Sequence, residues 1–596
     1  MEEHYLIQLA GIVIIGTAAQ WLAMRLKLPS ILFLLAFGFL AGPILHLIHP
    51  DELFGHLLFP VISLSVAIIL FEGGMDLRLE ELKDIGRIVA HFITIGVAAT
   101  WVMVALAAYF ILDLGPTLSI LFGAILVVTG PTVVGPLLRH VRPSGRVKNM
   151  VKWEGIMNDP IGVLLAVLAF ESIMVGDINA AWTIVAAGIL KTIFLSAVIG
   201  VASAYLLTFL LSRYWIPDVL HQVVTLMFIF FTFVVANLLQ GESVLLAVTL
   251  MGIIMANQDK VAVKHILEFK EILRTLIISI LFIILSARLK LSDFADINGT
   301  HILFLLVLIV IIRPVSVMLS SIGTNLNWKE KIFVSLMAPR GIVAAAMASI
   351  FAFELASAGR QHGAVLMPLT FLVIAVTVTF YSLMITPVSR WLGISKRNPQ
   401  GVIIVGAHDW ARLIGQKLVA LGFKVLMVDS NRGNIRQALK EGLQTYMGNI
   451  LQENIEDRLN LDEVGRIMCL TSNDEANALA SLHFQDLLGT ANVFQLSPEP
   501  AEGKNIQAHS PKHMRGRHLF RRGLDFQRLS AIFESGVELR EMMVSENFDM
   551  DRFLSSYDGK AIPLFLVDDS KLRIFAADDP PEPQSGHVLV YLAKPA

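Results

Sequence analysis

Residues 153–170 read WEGIMNDPIGVLLAVLAF. An apolar stretch of membrane-spanning character here carries Glu154, Asn158, Asp159 and Pro160. A carboxylate at the centre of a transmembrane helix costs about 2.5–3.5 kcal/mol, and a helix-interior proline costs about 3 kcal/mol more. Glu154 and Asn158, four residues apart, share a helix face, and Asp159 lies about 100° further round. Pro160 has no N–H, so the Ile156 carbonyl loses its helical partner and leaves one more oxygen beside the acid. An unpaired acid at membrane depth reads as a functional site, whereas Glu154 reads as one half of a structural ion pair whose natural partner is Arg340.

The surrounding composition agrees with a membrane protein. Of 596 residues, 55% are hydrophobic and 16% charged, against about 25% charged in soluble proteins; mean hydropathy is +0.67. A net charge of −2 gives no hint of nucleic acid, and the single cysteine, Cys469, excludes an intrachain disulfide and a Cys-rich metal site. The start, MEEHYLIQLAG, lacks the basic region and cleavage site of a signal peptide, so its apolar run is expected as a retained first span. Long apolar stretches end near residue 392, and WLGISKRNPQ (391–400) looks like a junction to a soluble tail.

At about 20 apolar residues per crossing, about thirteen spans are expected within 1–392. Alternate loops carry about 20 Lys and Arg on one face against about 3 on the other, which puts the N-terminus outside and the tail in the cytoplasm. Two spans carry breakers: ILVVTGPTVVGPLL, with Gly130 and Pro131, and SLMAPRGIVAAAMA, with Pro339, Arg340 and Gly341. With the long seventh span as linker, these are the fifth elements of two halves of inverted topology. Paired interrupted segments of that kind point to a transporter's ion site, since bare backbone at membrane depth is tolerated only in protein or against a cavity. Glu72, in FEGGMDL, has three open readings, a cation ligand, a gate or an interfacial residue reaching water; Arg313, in IIRPVS, reads as structural; Lys191, in the middle of the seventh span, has no explanation at this level.

EGIMND, TGPTVV, FEGGMDL and APRGIVAA together resemble the motif set of monovalent cation/proton antiporters, in the branch of NhaP-type antiporters and animal Na⁺/H⁺ exchangers. The resemblance covers 1–392. It implies an all-α polytopic domain with an inverted repeat, divided into a dimerisation part and a mobile core. It also implies a homodimer in the inner membrane, Asp159 as the cation- and proton-binding acid, and a Glu154–Arg340 pair; Asn158, Thr129 and Glu72 are the further candidate ion-binding residues. Two departures stand out: the fifth-span Thr-Asp-Pro of the family is Thr129-Gly130-Pro131 here, and Gly155 stands where Ser is common. Both remove oxygens near the ion, so Na⁺ versus K⁺ stays open. One acid neutralised by either a proton or a cation gives one-for-one exchange, and the neutral Asn158 makes it electroneutral.

In the tail, GVIIVGAHDWARLIGQKLVALGFKVLMVDSN runs strand, turn, helix, strand, acid, with Asp429 23 residues after Gly406. His408 and Ala411 replace the second and third glycines of the dinucleotide fingerprint, which weakens it. With TYMGNI and LTSNDEAN added, the tail resembles the RCK (TrkA-N) nucleotide-binding domains of K⁺ channels and transporters. That implies a Rossmann-like α/β domain over 399–535 that binds a regulatory nucleotide, NAD(H), AMP or ATP, through Gly406, His408, Asp429, Asn449, Asn473, Asp474 and Asn477. Asn449 departs from the family's usual Asp. Residues 540–596 faintly resemble a small α+β TrkA-C domain. No catalytic cofactor and no resident metal are expected. The alternatives are a nucleotide-gated K⁺ efflux system or ion channel, disfavoured because no T-V-G-Y-G filter is present, and a tethered oxidoreductase, for which no substrate domain exists.

Overall fold

The computed structural model describes the chain except residues 1, 27, 142, 144, 176–177, 262–263, 295–296, 395–399, 453–454, 456–458, 460, 462–463, 499–514, 569–570 and 595–596. Half of the junction and the expected start of the nucleotide domain at 399 thus fall outside the described residues. Two compact units are formed, Met1–Ser395 and Lys396–Ala596.

The first unit is helical. Among the described residues, eight helices are long and apolar enough to cross a membrane, and four shorter apolar ones accompany them: Ser30–Ile44, Pro116–Ile125, Val244–Ala256 and Ile342–Ser357. Both expected interruptions are present. Helix Pro116–Ile125 stops, 126–130 is irregular, and a new helix opens at Pro131; Trp328–Ser335 stops and a new helix starts at Ile342. Proline at the first helical position suits both its fixed φ and its missing N–H. The seventh stretch runs unbroken as Ile178–Ser212. Lys191 lies on this helix and is exposed.

The helices sort into two packed groups. One contains Glu2–Leu26, Ser30–Phe39, Leu58–Met75 and the four from Ile178 to Ala287. Within it Leu58–Met75 and Val244–Ala256 cross so closely that a Cβ on Gly252 would lie 2.2 Å from the Phe71 carbonyl. The other holds Leu82–Ile111, both broken elements, Gly145–Val175, Gly299–Ser320 and Leu366–Leu392. Two of its members carry a π-helical turn, at Phe92–Gly96 and Leu308–Ile312, and these two helices touch through Thr100, Ser316 and the Gly96 carbonyl.

The second unit starts with a parallel sheet of order β3-β2-β1-β4-β5-β6: β1 Gly401–Val405, β2 Val425–Asp429, β3 Gln444–Met447, β4 Val464–Cys469, β5 Val493–Gln495 and β6 Arg517–His518. This is the doubly wound order of dinucleotide folds. A four-stranded antiparallel sheet follows, β7-β10-β8-β9: β7 Glu538–Met543, β8 Ile562–Asp568, β9 Lys571–Ile574 and β10 Val588–Ala593. The two sheets are not separate bodies. Val402 and Ile404 of β1 belong to the same apolar core as Leu564, Phe565, Val590 and Leu592, and the backbone N–H of Phe520 donates to the Phe575 carbonyl. Cys469 is fully buried on β4, and burial pushes its thiol up to about 12.

Candidate functional site

The two helix breaks meet. The Gly130 N–H donates to the Pro339 carbonyl at 2.9 Å, and a Cβ on Gly130 would lie 2.7 Å from the Gly341 Cα. Each break leaves carbonyls at the negative end of a half-helix dipole, and each is met by an arginine. Arg340 Nη1 donates to the carbonyls of Val127 and Val128, both at 3.2 Å. Arg313 Nη2 donates to the Val334 carbonyl at 3.1 Å.

Arg313, not Arg340, is the partner of Glu154. Its Nη2 lies 2.9 Å from Glu154 Oε2 and its Nη1 2.5 Å from Oε1, a bidentate pair with both side chains buried. This corrects the expected Glu154–Arg340 pair. The reason is geometric: Arg340 is spent on the first break's carbonyls, whereas the π-turn before Arg313 delivers that guanidinium to the Glu154 face. Glu72, expected among the ion ligands, is also corrected: its Oε1 lies 2.8 Å from Arg274 Nη1 of helix Lys264–Ala287.

What remains is a set of buried side-chain oxygens without partners among the described residues. Helix Gly145–Val175 presses on the first break at Gly162, where a Cβ would meet Val128 Cγ2 at 2.6 Å. Asn158 and Asp159 lie four and three residues before Gly162, so they face the same break. Thr129 follows Val128. Thr129 Oγ1, Asn158 Oδ1 and both carboxylate oxygens of Asp159 are buried and have no hydrogen-bond partner among the described residues. Buried polar atoms are otherwise nearly always paired, so such a group points to an ion or water that completes it. Pro131, Pro339 and Gly341 shape the breaks; they contribute the crossing and not a side-chain ligand. Sequence reading missed the polar contact of Thr100 with Ser316; buried hydroxyls in otherwise apolar runs were its only signal.

In the tail, Gly406 (φ 102°) makes the tight turn after β1. Asp429, at the end of β2, accepts from the Ala407 N–H at 2.8 Å and from Asn434 Nδ2 at 2.9 Å. The Gly448 N–H donates to its carbonyl, so Gly406, Asp429 and the Gly448–Asn449 turn stand together at the carboxyl edge of the sheet. Asn449 closes its own turn onto the Leu451 N–H. Asn473 caps helix Asp474–Leu488 through the Ala476 N–H, and Asn477 ties down Thr471. Asp474 sits in the first turn of that helix. These residues stand at the carboxyl ends of β1 to β4, where doubly wound sheets take their ligands. The turn and the acid fit a nucleotide's ribose end. At the pyrophosphate position the His408 side chain stands where backbone should be bare.

The comparisons with known proteins follow this division. The family described as sodium/hydrogen exchanger, transmembrane, matches residues 10–391, and the TrkA-N domain matches 402–508. Na⁺/H⁺ antiporter 1 of Methanocaldococcus jannaschii is 27% identical over 359 residues, covering 57% of this chain and 82% of that protein. The K⁺/H⁺ antiporter NhaP of Alkalimonas amylolytica is 27% identical over 401 residues, 65% of this chain and 67% of its own. Among solved structures, the sodium proton antiporter MjNhaP1 of M. jannaschii superposes with a TM-score of 0.59 at 23% identity, over 65% of this chain and 98% of that one. With a matched region spanning well over half its length, this multi-pass chain with its soluble TrkA-N tail belongs to the sodium/hydrogen exchanger family.

Proposed function

We propose that the chain exchanges Na⁺ or K⁺ for H⁺, one for one, by letting cation and proton compete for the Asp159 carboxylate. The observation that carries this reading is the set of unsatisfied buried oxygens of Asp159, Asn158 and Thr129, set against a neighbouring Glu154 already neutralised by Arg313. A bare carboxylate moved through a low-dielectric interior costs several kcal/mol, so only the proton-loaded and cation-loaded forms cross readily. The helix group holding both breaks and Asp159 moves against the other group, exposing the acid to each side in turn. Relatives named as Na⁺/H⁺ and K⁺/H⁺ antiporters support both cations as candidates.

In this reading the chain crosses the inner membrane thirteen times, with its N-terminus outside and its tail in the cytoplasm, and works as a homodimer. The tail binds an adenine nucleotide (NAD(H), AMP or ATP) as a regulator, with Asp429 on the ribose.

The test is cation-induced proton movement in proteoliposomes, with Na⁺, K⁺ and Li⁺ in turn. Asp159→Asn is expected to reduce exchange to the level of empty vesicles while the protein still folds. Full exchange in that variant would remove the mechanism.

A further inference from the structure

His408 occupies the position of the second fingerprint glycine, the one whose missing side chain lets backbone approach a pyrophosphate. Its ring does not point away. Nε2 lies 2.7 Å from the Leu470 carbonyl, just past the end of β4, so the imidazole bridges the carboxyl ends of β1 and β4. In the order β3-β2-β1-β4-β5-β6 that is the topological switch point, where doubly wound sheets take their ligands. The ring is held by Trp410, with centroids 4.2 Å apart, and by Phe526 at 5.0 Å. The carbonyl requires the proton on Nε2, which leaves Nδ1 with its lone pair buried and without a partner.

We propose that His408 is a proton-operated plug of the nucleotide crevice, seated while its imidazole is neutral and displaced on protonation to pair with a nucleotide's pyrophosphate. This rests on the reading of the tail as a nucleotide-binding regulator. Seated, the ring covers the switch point and has no acceptor for a second proton on Nδ1. Protonated, it cannot stay in the aromatic box without an unsatisfied charged donor. Asp409, in the first turn of the helix that a pyrophosphate would approach, repels phosphate, and an imidazolium offsets that charge.

The charged groups facing the ring are Asp429 and Asp409, which favour its proton, and Arg412, which opposes it; burial outweighs them and lowers the His408 pKa below its ordinary value. The plugged state therefore binds fewer protons than the open one. Its stability is full above the ordinary histidine value of about 6.5 and is lost as pH falls below it. A phosphate-paired imidazolium titrates higher, so nucleotide binding takes up a proton and tightens with acid.

The experiment is calorimetric titration of the full chain in detergent with NAD⁺, whose diphosphate stays ionised throughout, at about pH 8 and about pH 6. ADP is a second probe, read as the difference between wild type and His408→Gly because its terminal phosphate also titrates. Wild type should bind about tenfold tighter at the lower pH. His408→Gly should bind more tightly than wild type at the higher pH and show no pH slope with NAD⁺; His408→Gln, a neutral side chain, should lose the slope as well. Equal affinities for wild type and His408→Gly at both pH values would overturn the plug and leave the nucleotide reading standing. Absence of binding to either protein at either pH would remove both.

Discussion

Gly130 has no room for the carboxylate expected there from the family resemblance, because any side chain at that position runs into the backbone of Gly341. The lost oxygen is thus tied to the closeness of the two breaks. Gly130→Ala is expected to cost about 1–3 kcal/mol through overpacking and Gly130→Asp more, read as a falling midpoint in thermal unfolding in detergent. Thr129→Ala and Asn158→Ala each remove one neutral oxygen worth about 1 kcal/mol. About a fivefold rise in the cation concentration for half-maximal exchange should follow, with the maximal rate kept. Asp159 was legible in the sequence because an acid in an apolar run has few ways to be satisfied. The partner of Glu154 was not, since Arg313 and Arg340 are equally available on paper and only the fold decides which reaches it. Glu72 was misread for the same reason: Arg274 lies 202 positions along the chain and becomes a neighbour only through helix packing.

The broken elements follow from glycine and proline, whose backbone effects are local and so visible in sequence. The π-turns at Phe92–Gly96 and Leu308–Ile312 are marked only by Gly96 at the end of one and Pro314 just after the other, and neither residue by itself specifies a π-turn. Each half-helix ends on a guanidinium, and Arg313 serves two partners at once. Glu154→Ala strands that cation in a dry interior, a loss of about 3–5 kcal/mol, and should abolish folded protein in size-exclusion chromatography. The exchanged pair Glu154→Arg with Arg313→Glu should recover only part of it, because a carboxylate cannot donate to the Val334 carbonyl. Arg340→Ala should lower the unfolding midpoint by removing donors from Val127 and Val128.

Over the whole molecule, the division into a membrane unit and a soluble unit was plain from composition, because lipid and water select different residues. Inside the tail, where a boundary between 535 and 540 was expected, the apolar core runs through both sheets, and sharing of that kind leaves no composition shift to read. With Glu154 and Glu72 both engaged by arginines, Asp159 is the one carboxylate of the proposed site left to change its load. Exchange should therefore show no dependence on an imposed membrane potential, and a flux that changes with valinomycin-set voltage would contradict one-for-one coupling. The buried sulfur on β4 has a practical corollary. Hardly any of it is thiolate near neutral pH and the sheet shields it, so maleimides should leave the native chain unlabelled. Spin labels or fluorophores on cysteines introduced into either helix group would then report separations against a silent background, with no natural residue removed first.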